Sequence, residues 1–445
     1  MKPITDQLKK YSSEVISLHV PGHHNGTIGN LDINISYDMT EINGLDDYHH
    51  PENVIARSET FLSRCPEYQT RYIVNGTTTG ILSVLQSLPS SSSVAIMRNV
   101  HKSVFNGLSL KGHDAYILPA IVSQITGQYS GVNISAIEEK DLKDIKLAVL
   151  TYPNYFGETY NIKEVIQFFH EHDIEVLVDE AHGAHFDIAE NFPVSSVHFD
   201  ADYIVQSYHK TLPALTMGSV IHIHKEGELK EGILRYLSVL QTSSPSYLIL
   251  SSLEQAHNFY VHYQSDEFWK KRRALIQKLS DKFDVIEVDD PLKLLIRKVG
   301  CSGSELQLVL EEQSIYTELA TFTDVLLVLP LWHEHDSFPM ERLLVLIEKI
   351  NMADITQVEK AERINHLYTT AAGFYKPVEG VKRIVSLNEG IGRYLAEALI
   401  PYPPGIPFVI AGEKLSSKHV TELKRYIDQG IRIHGMMDEK ISIIE

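Results

Sequence analysis

Ser207-Tyr208-His209-Lys210-Thr211 closes the run Ala201-Asp-Tyr-Ile-Val-Gln206, and Asp179-Glu180-Ala181-His182 closes the run Ile174-Glu-Val-Leu-Val178. Both runs are short and apolar, the pattern of buried strands in a parallel sheet covered on both faces. Ligands of such sheets bind beyond the carboxyl ends of the strands, so Asp179 and Lys210 are predicted to face one crevice. A lysine reacting as the free amine forms an imine with an aldehyde, and a carboxylate can hold a proton on a ring nitrogen. Pyridoxal 5'-phosphate needs both. Taken singly, Asp179 reads as a core-edge carboxylate and Lys210 as a solvated amine; the blocks around them select the pair.

Working outward, strand and helix patterns alternate from about residue 68, which predicts an α/β fold with a mostly parallel sheet. Strands are expected at 71–74, 94–97, 146–150 and 217–223, and a long helix at 246–264. Asn75-Gly-Thr77-Thr78-Thr79-Gly80 opens a helix, where backbone N–H groups and hydroxyls make a phosphate cradle or merely an N-cap. His101 follows the strand at 94–97 and is placed to stack on a cofactor ring, although a lone histidine is more often structural. Thr151-Tyr-Pro-Asn-Tyr-Phe-Gly157 is a loop at the same edge.

Residues 1–16 read as an amphipathic helix through Ile4, Leu8, Tyr11 and Val15. Next come His19-Val-Pro-Gly-His23-His24, where Pro21-Gly22 prevents the helix that would align His19 and His23 as metal ligands, so no metal is expected. The acidic stretch 38–47 reads as a solvated loop, 237–247 as a Ser/Thr loop, and Trp269-Lys-Lys-Arg-Arg273 as the solvated face of a bridging helix. Strands at 292–297 and 325–329 and helices at 302–313 and 339–351 predict a smaller α/β unit. Pro401 to Pro407 reads as a rigid bend into a strand at 408–410. The expected divisions are an N-terminal arm with active-site loops (1–50), a large cofactor-binding domain (51–265) and a smaller C-terminal α/β domain (266–445).

The composition, 43% hydrophobic and 22% charged, is that of a globular protein, and no apolar run is long enough to span a bilayer. Cys65 and Cys301 are too few for a disulfide framework, so a cytoplasmic location is expected. The net charge of -18 argues against nucleic-acid binding and suits cationic substrates, though acidity also serves solubility.

Eight blocks in register resemble the bacterial ornithine/lysine/arginine decarboxylase family: H-V-P-G-H at 19–23, T-E-I-N-G-L-D-D at 40–47, N-G-T-T-T-G at 75–80, R-N-V-H-K-S at 98–103, D-E-A-H-G-A-H-F at 179–186, S-Y-H-K-T-L at 207–212, S-P-S-Y at 244–247 and Y-P-P-G-I-P at 402–407. The resemblance implies a fold type I pyridoxal-phosphate enzyme that decarboxylates a basic amino acid. It implies that Lys210 forms the Schiff base, Asp179 pairs with the pyridinium nitrogen, His101 stacks on the ring, and Ala181 and His182 line the opposite face. Thr77, Thr78, Ser207 and His209 would hold the phosphate, and Lys210 or His209 would return a proton to the substrate carbon.

A homodimer with shared sites is implied, with Thr242, Ser243 or Ser244 reaching the neighbouring subunit's phosphate, and Glu397 is the expected carboxylate for the substrate's distal cation. The chain begins almost directly at H-V-P-G-H, so the receiver-like wing of the larger members is not expected. Leu331-Trp-His-Glu-His-Asp336 departs from the family's Gly-Asp-Thr-like turn. Two other readings compete: another amino-acid substrate or a weakly catalytic homologue, and a helicase-like ATPase suggested by Asp179-Glu-Ala-His182. The ATPase is set aside because no G-x-x-x-x-G-K-[ST] loop exists.

Overall fold

The computed structural model describes residues 2–351, 370–375, 380–402, 406–428 and 430–445. Its centre is an eight-stranded sheet in the order Gly373–Tyr375, Asp114–Ile117, Ser93–Ile96, Ile145–Thr151, Glu175–Asp179, Tyr203–Gln206, Ser219–His224, Tyr68–Ile73. The five strands from Asp114–Ile117 to Tyr203–Gln206 are parallel, and Ser219–His224 is antiparallel to both of its neighbours. The chain order reverses between Ser93–Ile96 and Ile145–Thr151, which opens a crevice at the carboxyl edge.

The sheet is continuous because its central strands bury both faces: Leu147 to Leu150, Val176 to Val178 and Tyr203 to Val205 are fully buried. Helix Ile162–His170 covers one side through Ile162, Val165, Ile166 and Phe169, a helical-period stripe. Each such side chain contributes about 1.5–3 kcal/mol on leaving water.

Residues beyond 266 build two bodies with separate apolar clusters. The first is an antiparallel sheet, Asp284–Glu287, Lys293–Arg297, Asp324–Val328 and Leu319–Ala320. Its apolar cluster extends back to Ile16 and Leu18, because strand Ile16–Leu18 pairs with Ile315–Thr317. The second gathers Lys382–Ser386, Tyr394–Leu395 and Lys440–Ile444 around Leu387, Leu395, Leu423 and Ile443.

Several expectations change. The acidic loop is not wholly solvated: Asp46 is 5% exposed and accepts the N–H groups of Glu52, Asn53 and Ile55, capping helix Val54–Phe61. Helix Lys230–Leu240 takes the first part of the stretch read as a loop. In helix Asp266–Ser280, Arg272 is buried and pairs with Glu287 at 2.7 Å, so that face is only partly solvated. The helix expected over 1–16 forms over Pro3–Glu14, yet Ile4 and Leu8 stay 77% and 63% exposed. Residues 408–410 form only the single bridge Leu399–Val409, and Pro403, Pro404 and Gly405 of the expected bend lie outside the described residues. Leu331–Asp336 is structural in character: Trp332 is fully buried, and Asp336 pairs with Lys271 at 2.7 Å.

Candidate active site

Strand Glu175–Asp179 delivers Asp179 to the carboxyl edge, where its Oδ1 accepts the Ala181 N–H at 3.2 Å. Its neighbour Tyr203–Gln206 ends at Ser207, and the single helical turn Tyr208–Thr211 presents Lys210 beside it. Both groups line one cavity of about 620 Å³, with Thr77, Thr78, His101, Ala181, His182, Ser207 and His209. That volume suits a small cofactor with substrate.

Burial shifts the charges here. It raises the Asp179 carboxyl above its usual range, opposed by the nearby Lys210 charge and the Ala181 N–H. It lowers the Lys210 amine, opposed by Asp179 and Glu318 and reinforced by Lys293. An amine so placed reacts more readily as the free base. His182 falls well below its usual range through burial and then the charge of Lys210. Its neutral ring offers Nε2 as acceptor to Lys210 Nζ at 3.1 Å. His101 is lowered to about 4 by burial and then Lys210 and Lys102, leaving an uncharged ring. Its Nδ1 sits 2.9 Å from Ser103 Oγ at the start of helix Lys102–Lys111.

The anion-binding end is built from helix Thr77–Ser87. Gly76 precedes it with φ 85°, a left-handed conformation that favours glycine, and Gly76, Thr77 and Thr78 line the cavity at the helix start. Thr77 Oγ1 and Ser207 Oγ lie 3.0 Å apart, and the His209 ring is anchored by Nδ1–H donation to Gly218 O at 3.0 Å. Pyridoxal 5'-phosphate fits these groups: an amine, a buried carboxylate, a helix N-terminus with two hydroxyls, and two flat neutral rings. His182 Nδ1 and Thr151 Oγ1 are also buried without a hydrogen-bond partner.

Four expected residues lie outside this cavity, three of them expected to serve the neighbouring subunit. Glu397 is 54% exposed, pairs with Lys382 at 3.4 Å and does not line the cavity. Ser243 and Ser244 are exposed with Thr242, whose hydroxyl donates to Ser244 O. Conversely, sequence reasoning missed Glu318, Tyr155, Asn99 and Tyr316 as lining residues. Glu318 accepts the Val20 N–H at 3.0 Å and the Tyr155 hydroxyl, and the Tyr155 ring lies 4.4 Å from that of His182. Tyr155 lay in a loop already assigned to this edge, but no local pattern marks Glu318. Among the described residues no cluster of three or more His, Cys, Asp or Glu side chains is arranged for a metal ion, and no helix is long and apolar enough to cross a membrane.

Comparison with known proteins follows the same lines. The family described as Orn/Lys/Arg decarboxylase, major domain, matches residues 2–289, and its C-terminal domain matches 355–434. The chain is 37% identical to the uncharacterized protein YaaO of Bacillus subtilis, over 95% of this chain and 94% of that one. It is 26% identical to arginine decarboxylase of the same organism, over 99% and 97%. Among solved structures, the lysine decarboxylase LdcF of Francisella novicida superposes with a TM-score of 0.73 at 20% identity, covering 100% of this chain and 81% of that one. The fold is that of type I pyridoxal-phosphate enzymes. The chain belongs to the Orn/Lys/Arg decarboxylase family and is a pyridoxal-phosphate-dependent amino-acid decarboxylase.

Proposed function

We propose that this enzyme decarboxylates arginine, with lysine and ornithine as the competing substrates, and that Lys210 and Asp179 are its central catalytic residues. The observation that carries the reading is their convergence on one cavity beside a helix N-terminus. Arginine is preferred because the arginine decarboxylase of Bacillus subtilis aligns over nearly the whole of both chains.

Bound pyridoxal phosphate supplies the electron sink for the pair left when carbon dioxide departs. Lys210 holds the cofactor through its amine, which burial keeps prone to lose its proton. Asp179 would hold the ring-nitrogen proton, and His101, His182 and Ala181 would contact the ring. Thr77, Thr78, Ser207 and His209 would hold the phosphate. Burial holds the His209 ring at about 4 and its Nδ1–H donates to Gly218 O, so its Nε2 carries no proton to give to carbon, and only a bound phosphate would draw one there. Lys210 is therefore the group that returns a proton to the substrate's α carbon.

The enzyme is read as a cytoplasmic homodimer. Exposed Ile4, Leu8, Ile35 and Ile42 on the N-terminal arm support burial against a second copy, as does the exposed Thr242–Ser244 turn. In that assembly Ser243 and Ser244 would approach the neighbouring phosphate, and Glu397 would exchange its pairing with Lys382 for a substrate cation. Incubating the purified enzyme with arginine, lysine and ornithine and following carbon dioxide and amine tests the reading. Product from arginine fastest supports it; product from none would favour another amino-acid substrate or a weakly catalytic role.

A further inference from the structure

Lys293 begins strand Lys293–Arg297 and is 0% exposed, yet its Nζ has no hydrogen-bond partner. A buried ammonium without partners costs several kcal/mol, so its retention calls for a compensating arrangement. Its stem is clamped by Gly157, where an added Cβ would lie 2.6 Å from Lys293 Cγ. Its Nζ lies 5.8 Å from the Tyr155 ring centroid. The Tyr155 ring meets that of His182, its hydroxyl is held by Glu318, and His182 Nε2 meets Lys210 Nζ. Below Lys293 lies Asp290, fully buried, bonded to His185 Nε2 at 2.8 Å through Oδ1 and without a partner at Oδ2. A cation, an aromatic ring, an imidazole and the candidate Schiff-base lysine thus form one contiguous path.

We propose that Lys293 is a positioning residue of this active site: its buried ammonium, set against Tyr155 and facing Glu318 and Asp290, fixes the wall on which His182 and Lys210 rest and sets the field they experience. The inference rests on the assignment of Lys210 as the cofactor-holding lysine. The charged and titratable groups facing Lys293 are Asp290, Glu318, Tyr155 and His182, and those facing Lys210 are Asp179, Glu318, His182, His101, His209 and Lys293. Lys293 is the distant positive charge in the second set, so its removal stabilises a proton at Lys210.

The test uses the holoenzyme of wild type, Lys293→Met and Glu318→Gln, with the visible absorbance of the bound cofactor followed against pH. At an effective protein dielectric a unit charge one ring away moves a midpoint by about one pH unit. Lys293→Met is expected to raise the midpoint by about that amount and Glu318→Gln to lower it, with kcat falling and KM little changed. If Lys293→Met fails to fold, Lys293→Gln takes its place with the same expectation. Midpoints that stay at the wild-type value in folded Lys293 variants overturn the proposal and leave Lys293 a packing residue. A wild type without a cofactor band overturns the assignment of Lys210 itself, and the inference with it.

Discussion

Substituting Gly22→Ala probes how the active-site lysine is braced. Gly22 lies in the H-V-P-G-H stretch, and its N–H donates to His209 O at 2.8 Å. An added Cβ would sit 2.6 Å from Leu212 O, 2.8 Å from Thr211 C and 2.9 Å from Leu212 N, where ordinary contact begins at 3.4 Å. All three are backbone atoms of the turn that carries Lys210, so no side chain can swing aside. The turn must retreat by roughly 0.8 Å at the closest contact, and misplacement of about 1 Å can cost about 10²-fold in rate. Overpacking adds about 1–3 kcal/mol of destabilisation, and weakening the Gly22–His209 bond about 1 kcal/mol more. Carbon dioxide release gives the rate and thermal unfolding gives the stability. We expect a rate loss between tenfold and a hundredfold with a lower Tm. Wild-type activity and an unchanged melt in this variant would refute the argument that the loop fixes the lysine.

Lys210→Ala should abolish both decarboxylation and the visible absorbance of a protein-bound imine; a variant that keeps that band has its cofactor on another amine. Stability should decline as pH falls from about 6.5 toward 4, because burial holds His24 at about 3 and His101 and His209 at about 4. The unfolded chain then takes up these protons first, so the stability these three rings contribute is full above pH 6.5 and is lost on acidification, by up to about 4 kcal/mol for the fully buried His24. Apoenzyme melts between pH 4 and 8 would show this, and His24→Asn should flatten the slope while lowering Tm at neutral pH. Asp46→Ala leaves the N–H groups of Glu52, Asn53 and Ile55 without their acceptor. A loss of about 2 kcal/mol is expected in denaturant unfolding, and a loss below 0.5 kcal/mol would contradict the capping role.

The sequence by itself determined the sheet and the pair at its edge. Val176–Val178 and Tyr203–Val205 are apolar runs whose burial depends only on local pattern, and the polar residues that end them, Asp179 and Ser207 to Lys210, fall at the carboxyl edge. The same holds for Thr77 at its helix start and His101 at its N-cap. Only the tertiary structure decided what surrounds that pair. Glu318 reaches the cavity because strand Ile16–Leu18 pairs with Ile315–Thr317, bringing Val20 to its carboxylate across 298 residues of chain. Lys293 lies behind Tyr155 because Gly157 leaves room for its stem, and Asp46 is drawn inward by the open helix end at Asn53 and Ile55. Hydrophobic period and turn chemistry act between near neighbours and are written along the chain. The meeting of charges from separate apolar clusters depends on how those clusters pack, and no local pattern encodes it.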